Sequence, residues 1–88
     1  MKTYYFHGSK TVQTPKGNKV RRISIAAIQS NNELIIGVSQ CSDKDSFNRA
    51  LGRTISEGRA LKKPTETITF IDEPGKTFNK WCKEYCAD

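Results

Sequence analysis

The chain has 88 residues, a net charge of +6, 35% hydrophobic residues and 27% charged ones. That length holds a single domain, residues 1–88, with a modest core, and the aromatic content argues against wholesale disorder. No apolar run approaches the roughly eighteen residues a membrane span needs.

The first ten residues, "MKTYYFHGSK", lack the apolar centre of a secretory signal, so a cytoplasmic location in a bacterial host is expected, with no membrane partner. Three cysteines, Cys41, Cys82 and Cys86, cannot close into a disulfide framework and are expected as free thiols. With His7 they make a conceivable zinc set, but the paired short-spaced knuckles are absent. No metal or cofactor is expected. The positive charge is concentrated: residues 1–32 hold six Lys/Arg and no acid. Such a distribution favours polyanionic partners.

In chain order, "TYYFHG" (Thr3 to Gly8) reads as a first strand, with Tyr4 and Phe6 on one face and Tyr5 on the other. Pro15-Lys16-Gly17-Asn18 is a turn signature, at the tip of a long hairpin or within a loop. "KVRRISIAAIQ" alternates Ile23, Ile25 and Ala27 against Arg22, Ser24, Ala26 and Ile28, which is strand periodicity. "SNNE" (Ser30 to Glu33) suits a hairpin turn. "ELIIGVSQC" then alternates Leu34, Ile36 and Val38 against Ile35, Gly37 and Ser39 as a third strand.

A helix follows. Ser42 with Asp45 resembles a capping box, and Pro64 ends the helix. Phe47, Ala50, Leu51, Thr54, Ile55, Gly58 and Leu61 share one face and are expected to pack on the sheet, Gly58 allowing close approach. Arg49, Gly52, Arg53, Ser56, Arg59, Ala60 and Lys63 are then expected to face outward. "TETITFID" (Thr65 to Asp72) is a fourth strand. Phe78, Trp81, Cys82 and Tyr85, at i, i+3, i+4 and i+7, mark a terminal helix. The order β-β-β-α-β-α predicts an α+β domain, an antiparallel sheet of about four strands with helical cover on one face and one main helix against it.

Arginine outnumbers lysine on the expected outward face. Its forked donors match phosphate or carboxylate oxygens in pairs, whereas lysine serves solubility equally well. Arg49, Arg53, Arg59 and Lys63 are therefore candidate contacts to a polyanion. Lys16, Lys19, Arg21 and Arg22 form a second basic cluster suited to a phosphate backbone. A solvated helix face, with Glu57 pairing to Arg53, is the plainer alternative.

The segment Cys41 to Pro64 resembles a pattern in small bacteriophage and mobile-element proteins, D-x-F-x-R-x-x-G-R-x-I-x-x-G-R-A, carried here by Asp45, Phe47, Arg49, Gly52, Arg53, Ile55, Gly58, Arg59 and Ala60. The resemblance implies an accessory product of a class that includes non-enzymatic inhibitors of host defence nucleases and toxins. It transfers no catalytic residue.

His7 is the sole histidine and has no fixed partner evident in the sequence, so it does not nominate a nuclease, although loss of an activity in His7→Ala would. No phosphate-cradling loop or dinucleotide fingerprint is present. The leading expectation is a non-enzymatic phage-type protein that binds nucleic acid, RNA favoured over DNA, and inhibits a host factor such as a defence ribonuclease or toxin. Aromatic surface beside Arg22 would stack unpaired bases. The rivals are a pure protein–protein inhibitor docking on an acidic or nucleic-acid-binding surface, and a sheet-reading DNA regulator. Homo-oligomerisation is compatible with each.

Overall fold

The computed structural model describes residues 2–41 and 48–87. Its first half is one long hairpin, β1 (Thr3–Thr14) and β2 (Gly17–Ser30). Pro15 and Lys16 make the turn, and Gly17 follows at φ 112°, a value that glycine adopts without strain. The Thr14 hydroxyl donates to the Gly17 carbonyl at 2.6 Å and accepts from the Lys16 N–H at 3.3 Å, which closes the tip. Pairing Thr14 with Gly17 sets the antiparallel register back to Thr3 opposite Ile28.

A second turn at Asn31-Asn32, with Asn31 at φ 55°, leads into β3 (Glu33–Gln40). β3 pairs with β2 only from Ile23 onward. Residues 9–14 and 17–22 therefore run on as a two-stranded ribbon, about 20 Å long at a strand's rise. After α1 (Arg49–Lys62), β4 (Glu66–Thr69) joins the free edge of β3, and α2 (Pro74–Cys86) ends the described chain. The sheet is antiparallel, in the order β1-β2-β3-β4.

Strand alternation gives the sheet two unlike faces. One presents Ile23, Ile25, Ala27, Leu34, Ile36 and Val38, and α2 covers it with Phe78 and Cys82. Tyr4, Phe6, Ile68, Phe70, Trp81 and Tyr85 pack around that core. The Trp81 indole stacks on Tyr85 at 5.2 Å, and its N–H donates to Glu66 at 3.1 Å. This face holds most of the buried apolar surface, and with it most of the folding drive. The strand partitions and the apolar spacing of α2 match the sequence reading.

α1 lies on the opposite face, so the helices sandwich the sheet instead of sharing one side of it. It is also turned over relative to the sequence expectation. Gly52, Ser56 and Ala60, one turn apart, press on the sheet; Ser56 and Ala60 are 0% and 2% exposed. A Cβ at Gly37 would overlap the backbone of Ser56 and Ala60, and one at Gly52 would overlap the Ser24 side chain. Leu51 and Leu61, expected inside, are 57% and 67% exposed. Gly58, expected to permit close approach, has open space where its Cβ would be.

The physical reason is shape. The α1 side of the sheet is built from Ser24, Ala26, Gly37 and Ser39, all small and all buried. A small-residue stripe can approach that surface closely, and close packing recovers the dispersion that bulky residues would supply elsewhere. The buried Ser56 hydroxyl costs little because it donates to the Gly52 carbonyl at 2.7 Å. The observed N-cap is Asn48, whose side chain accepts from the Leu51 N–H at 3.1 Å. Phe47 and the Ser42–Asp45 capping box lie outside the described residues.

Candidate functional site

Counting back from the Thr14–Gly17 pair places His7 opposite Ser24, and the His7 Nδ1 lies 2.9 Å from the Ser24 Oγ. Alternation puts Tyr5, His7 and Ser9 on the α1 side with Arg22, Ser24 and Ala26. Because Gly52 rests on Ser24, the first two turns of α1 lie over this patch. Arg53 reaches along the sheet, its guanidinium carbon 5.2 Å from the Tyr5 ring centre. The Tyr5 hydroxyl donates to Glu57 at 2.8 Å, one turn further along the helix. Arg49 opens α1, whose first turn holds no acid, so the positive end of the helix adds to the same potential.

The electrostatics report the crowding. The His7 pKa is lowered below its ordinary 6.5, first by burial and then by the charges of Arg49, Arg53 and Arg22. At neutral pH the imidazole is therefore uncharged, and the three guanidiniums carry the charge of the patch. The Tyr5 hydroxyl is shifted the other way, upward from 10.0, first by its hydrogen bond to Glu57, then by burial and the Glu57 charge, with Arg53 opposing. Both shifts reflect arrangements within the fold, and both belong to largely accessible groups.

Of the eight basic residues nominated by sequence, three meet here: Arg22, Arg49 and Arg53. The others do not. The Arg59 guanidinium turns toward β3 and donates to the Val38 carbonyl at 2.6 Å, so it fastens the helix to the sheet. Lys63 is the C-cap of α1, about 20 Å along the axis from Arg49. Lys16 sits at the ribbon tip. Lys19 and Arg21 alternate onto the α2 side of the ribbon, away from Arg22. That is the side on which Lys10 lies over the Tyr85 ring at 4.1 Å.

Sequence reasoning overlooked Tyr5, His7 and Ser24 as members of the site. The signal was present in the turn: a two-residue connection at Pro15-Lys16 fixes the His7–Ser24 pairing by simple counting. Cys82 is buried, and burial first, then Cys86, pushes its thiol up to about 12, which makes it a packing residue. Among the described residues no three His, Cys, Asp or Glu side chains gather as a metal site. No helix is long and apolar enough to cross a membrane. Family models, curated proteins and solved structures yield no match to this chain, so the meaning of the site rests on its own geometry.

Proposed function

We propose that this protein binds nucleic acid, RNA in preference to DNA, through the face formed by Arg22, Arg49 and Arg53, and that it acts by binding instead of catalysis. One observation carries the reading: two separate elements, β2 and α1, deliver three guanidiniums around a single His7–Ser24 pair. Guanidinium forks of this kind suit phosphate oxygens. The ribbon, with Lys16, Lys19 and Arg21, supplies further charge along the strand's path. Tyr5, 39% exposed beside the arginines, offers an edge to unpaired bases, which supports RNA. The phage-type helix pattern adds the role of antagonist to a host ribonuclease or toxin, by occupying the nucleic acid on which that factor acts.

Counterion release makes the test direct. Each phosphate neutralised contributes a slope of about −0.7 to the plot of log K against log salt for a single strand. Binding of a short single-stranded RNA should therefore weaken with a slope near −2 or steeper. An affinity indifferent to salt would refute phosphate contact.

A second reading, capture of a protein partner, is favoured by the exposed Leu51 and Leu61 on the outer side of α1. Replacing both with Gln would abolish that capture and leave RNA affinity unchanged.

A further inference from the structure

We infer that the floor formed by His7 and Ser24 beneath Arg22, Arg49 and Arg53 is a pocket for a phosphomonoester dianion, the phosphorylated end of a nucleic-acid strand, in preference to an internal phosphodiester. The inference rests on the nucleic-acid reading above and narrows it.

The argument begins with charge. An internal phosphodiester carries one negative charge, whereas a phosphomonoester carries about −1.5 to −2 at neutral pH and three strong acceptor oxygens. A groove that tracks a backbone spreads its cations along a line. Here they are concentrated. Arg22 enters from β2 one pair beyond Ser24, Arg49 from the first turn of α1, and Arg53 from the second turn, where it leans on Tyr5. A single diester leaves such a cluster with surplus positive charge; a dianion balances most of it. Three oxygens also give each guanidinium an acceptor of its own.

The floor fits the same ligand. Ser24 is buried, and its hydroxyl is held against the His7 Nδ1 at 2.9 Å. Gly52 lies so close above Ser24 that the helix start cannot sink further. The floor is therefore fixed in depth, as a preorganised anion site requires. The groups that face His7 are Tyr5 and Ser9 from β1, Arg22 and Ser24 from β2, and Arg49, Arg53 and Glu57 from α1. The Glu57 carboxylate accepts from Tyr5, which leaves the guanidiniums as the dominant charges on the imidazole. A dianion seated among them would reverse their effect and raise the His7 pKa.

The chain has one histidine, so its imidazole proton resonances report the pocket without ambiguity. The experiment titrates those resonances in the full chain with a hexaribonucleotide ended in 5′-phosphate, the same strand ended in 3′-phosphate, the strand with hydroxyls at both ends, and inorganic phosphate. Affinities are measured in parallel. The inference expects at least one phosphorylated strand to bind about tenfold tighter than the hydroxyl-ended strand and to raise the His7 pKa. The 5′ and 3′ arms identify which end is taken. Arg49→Gln, at an exposed position, should erase the preference and leave the hydroxyl-ended strand bound within about threefold. Arg53→Gln is the second variant and should do the same.

Equal affinity for all three strands would overturn the pocket and leave the nucleic-acid reading standing. A His7 response to inorganic phosphate with no strand bound would support the pocket and overturn the nucleic-acid reading. No response to any of the four would overturn both.

Discussion

Gly52 of α1 rests directly on Ser24 of β2, so closely that a methyl group added to the glycine would overlap the serine hydroxyl and stand 2.8 Å from its Cβ. This contact sets the orientation of the helix and decides where its arginines go. With the small stripe inward, Arg53 leans toward β1 and Arg59 toward β3, and Arg49 hangs over the end of the sheet that carries His7. The opposite rotation would send all of them to solvent.

Three glycine replacements test that orientation by thermal or denaturant unfolding. Gly37→Ala and Gly52→Ala should each destabilise by about 1–3 kcal/mol, because backbone or a buried side chain must move. Gly58→Ala should stabilise by about 1 kcal/mol, since it gains helix propensity in open space. The reverse pattern, with Gly58→Ala costly and Gly52→Ala benign, would mean that α1 packs through Leu51 and Leu61.

Much of the architecture was legible in sequence because it depends on local rules. Alternation assigned Ile23, Ile25 and Ala27 to one face and Ser24 to the other; Asn31-Asn32 and Pro15-Lys16 announced their turns; Phe78 and Cys82 marked the buried side of α2. The orientation of α1 was not legible from its own wheel. Counting apolar residues selects the Leu51–Ile55–Leu61 side, but packing is decided by two surfaces, and the opposing one consists of Ser24, Ala26, Gly37 and Ser39. The site inherited the same error. Arg49, Arg53 and Arg59 look alike on the helix, yet the sheet edge beneath each differs, so one binds a carbonyl while two surround an imidazole.

That difference separates Arg59 from Arg49 experimentally. Arg59→Ala removes the bond to the Val38 carbonyl and should lower stability by about 1–2 kcal/mol while barely changing the salt slope of RNA binding. Arg49→Ala should do the opposite, flattening the slope with stability held within about 0.5 kcal/mol. Equal effects of the two on RNA binding would argue against a localised patch.

The depressed His7 pKa makes stability depend on pH in a definite direction. As pH falls, the unfolded chain takes up this proton before the folded one does. The contribution of neutral His7 is whole above about 6.5 and is lost as the pH falls through the lower folded value. The melting temperature should therefore decline between pH 7.5 and 5.5, and His7→Gln should flatten that decline. A variant whose pH profile overlays the original would show that His7 is not held neutral by Arg22, Arg49 and Arg53.

Thiol chemistry checks the two-faced packing independently. Cys82 is fully buried under α2 with its thiol pushed up to about 12, whereas Cys41 and Cys86 are half-buried. A thiolate-selective reagent at pH 8 should modify the latter two in the folded protein and reach Cys82 only on unfolding. Rapid labelling of all three would contradict the core that α2 forms with the sheet.

The central claim is that Arg22, Arg49 and Arg53 act together on phosphate. Its most direct measurement is the salt dependence of single-stranded RNA affinity for the original chain and for Arg49→Gln/Arg53→Gln. The account predicts a slope near −2 or steeper that flattens by about 1.4 in the double variant. A double variant that binds RNA with the original slope and affinity would contradict it.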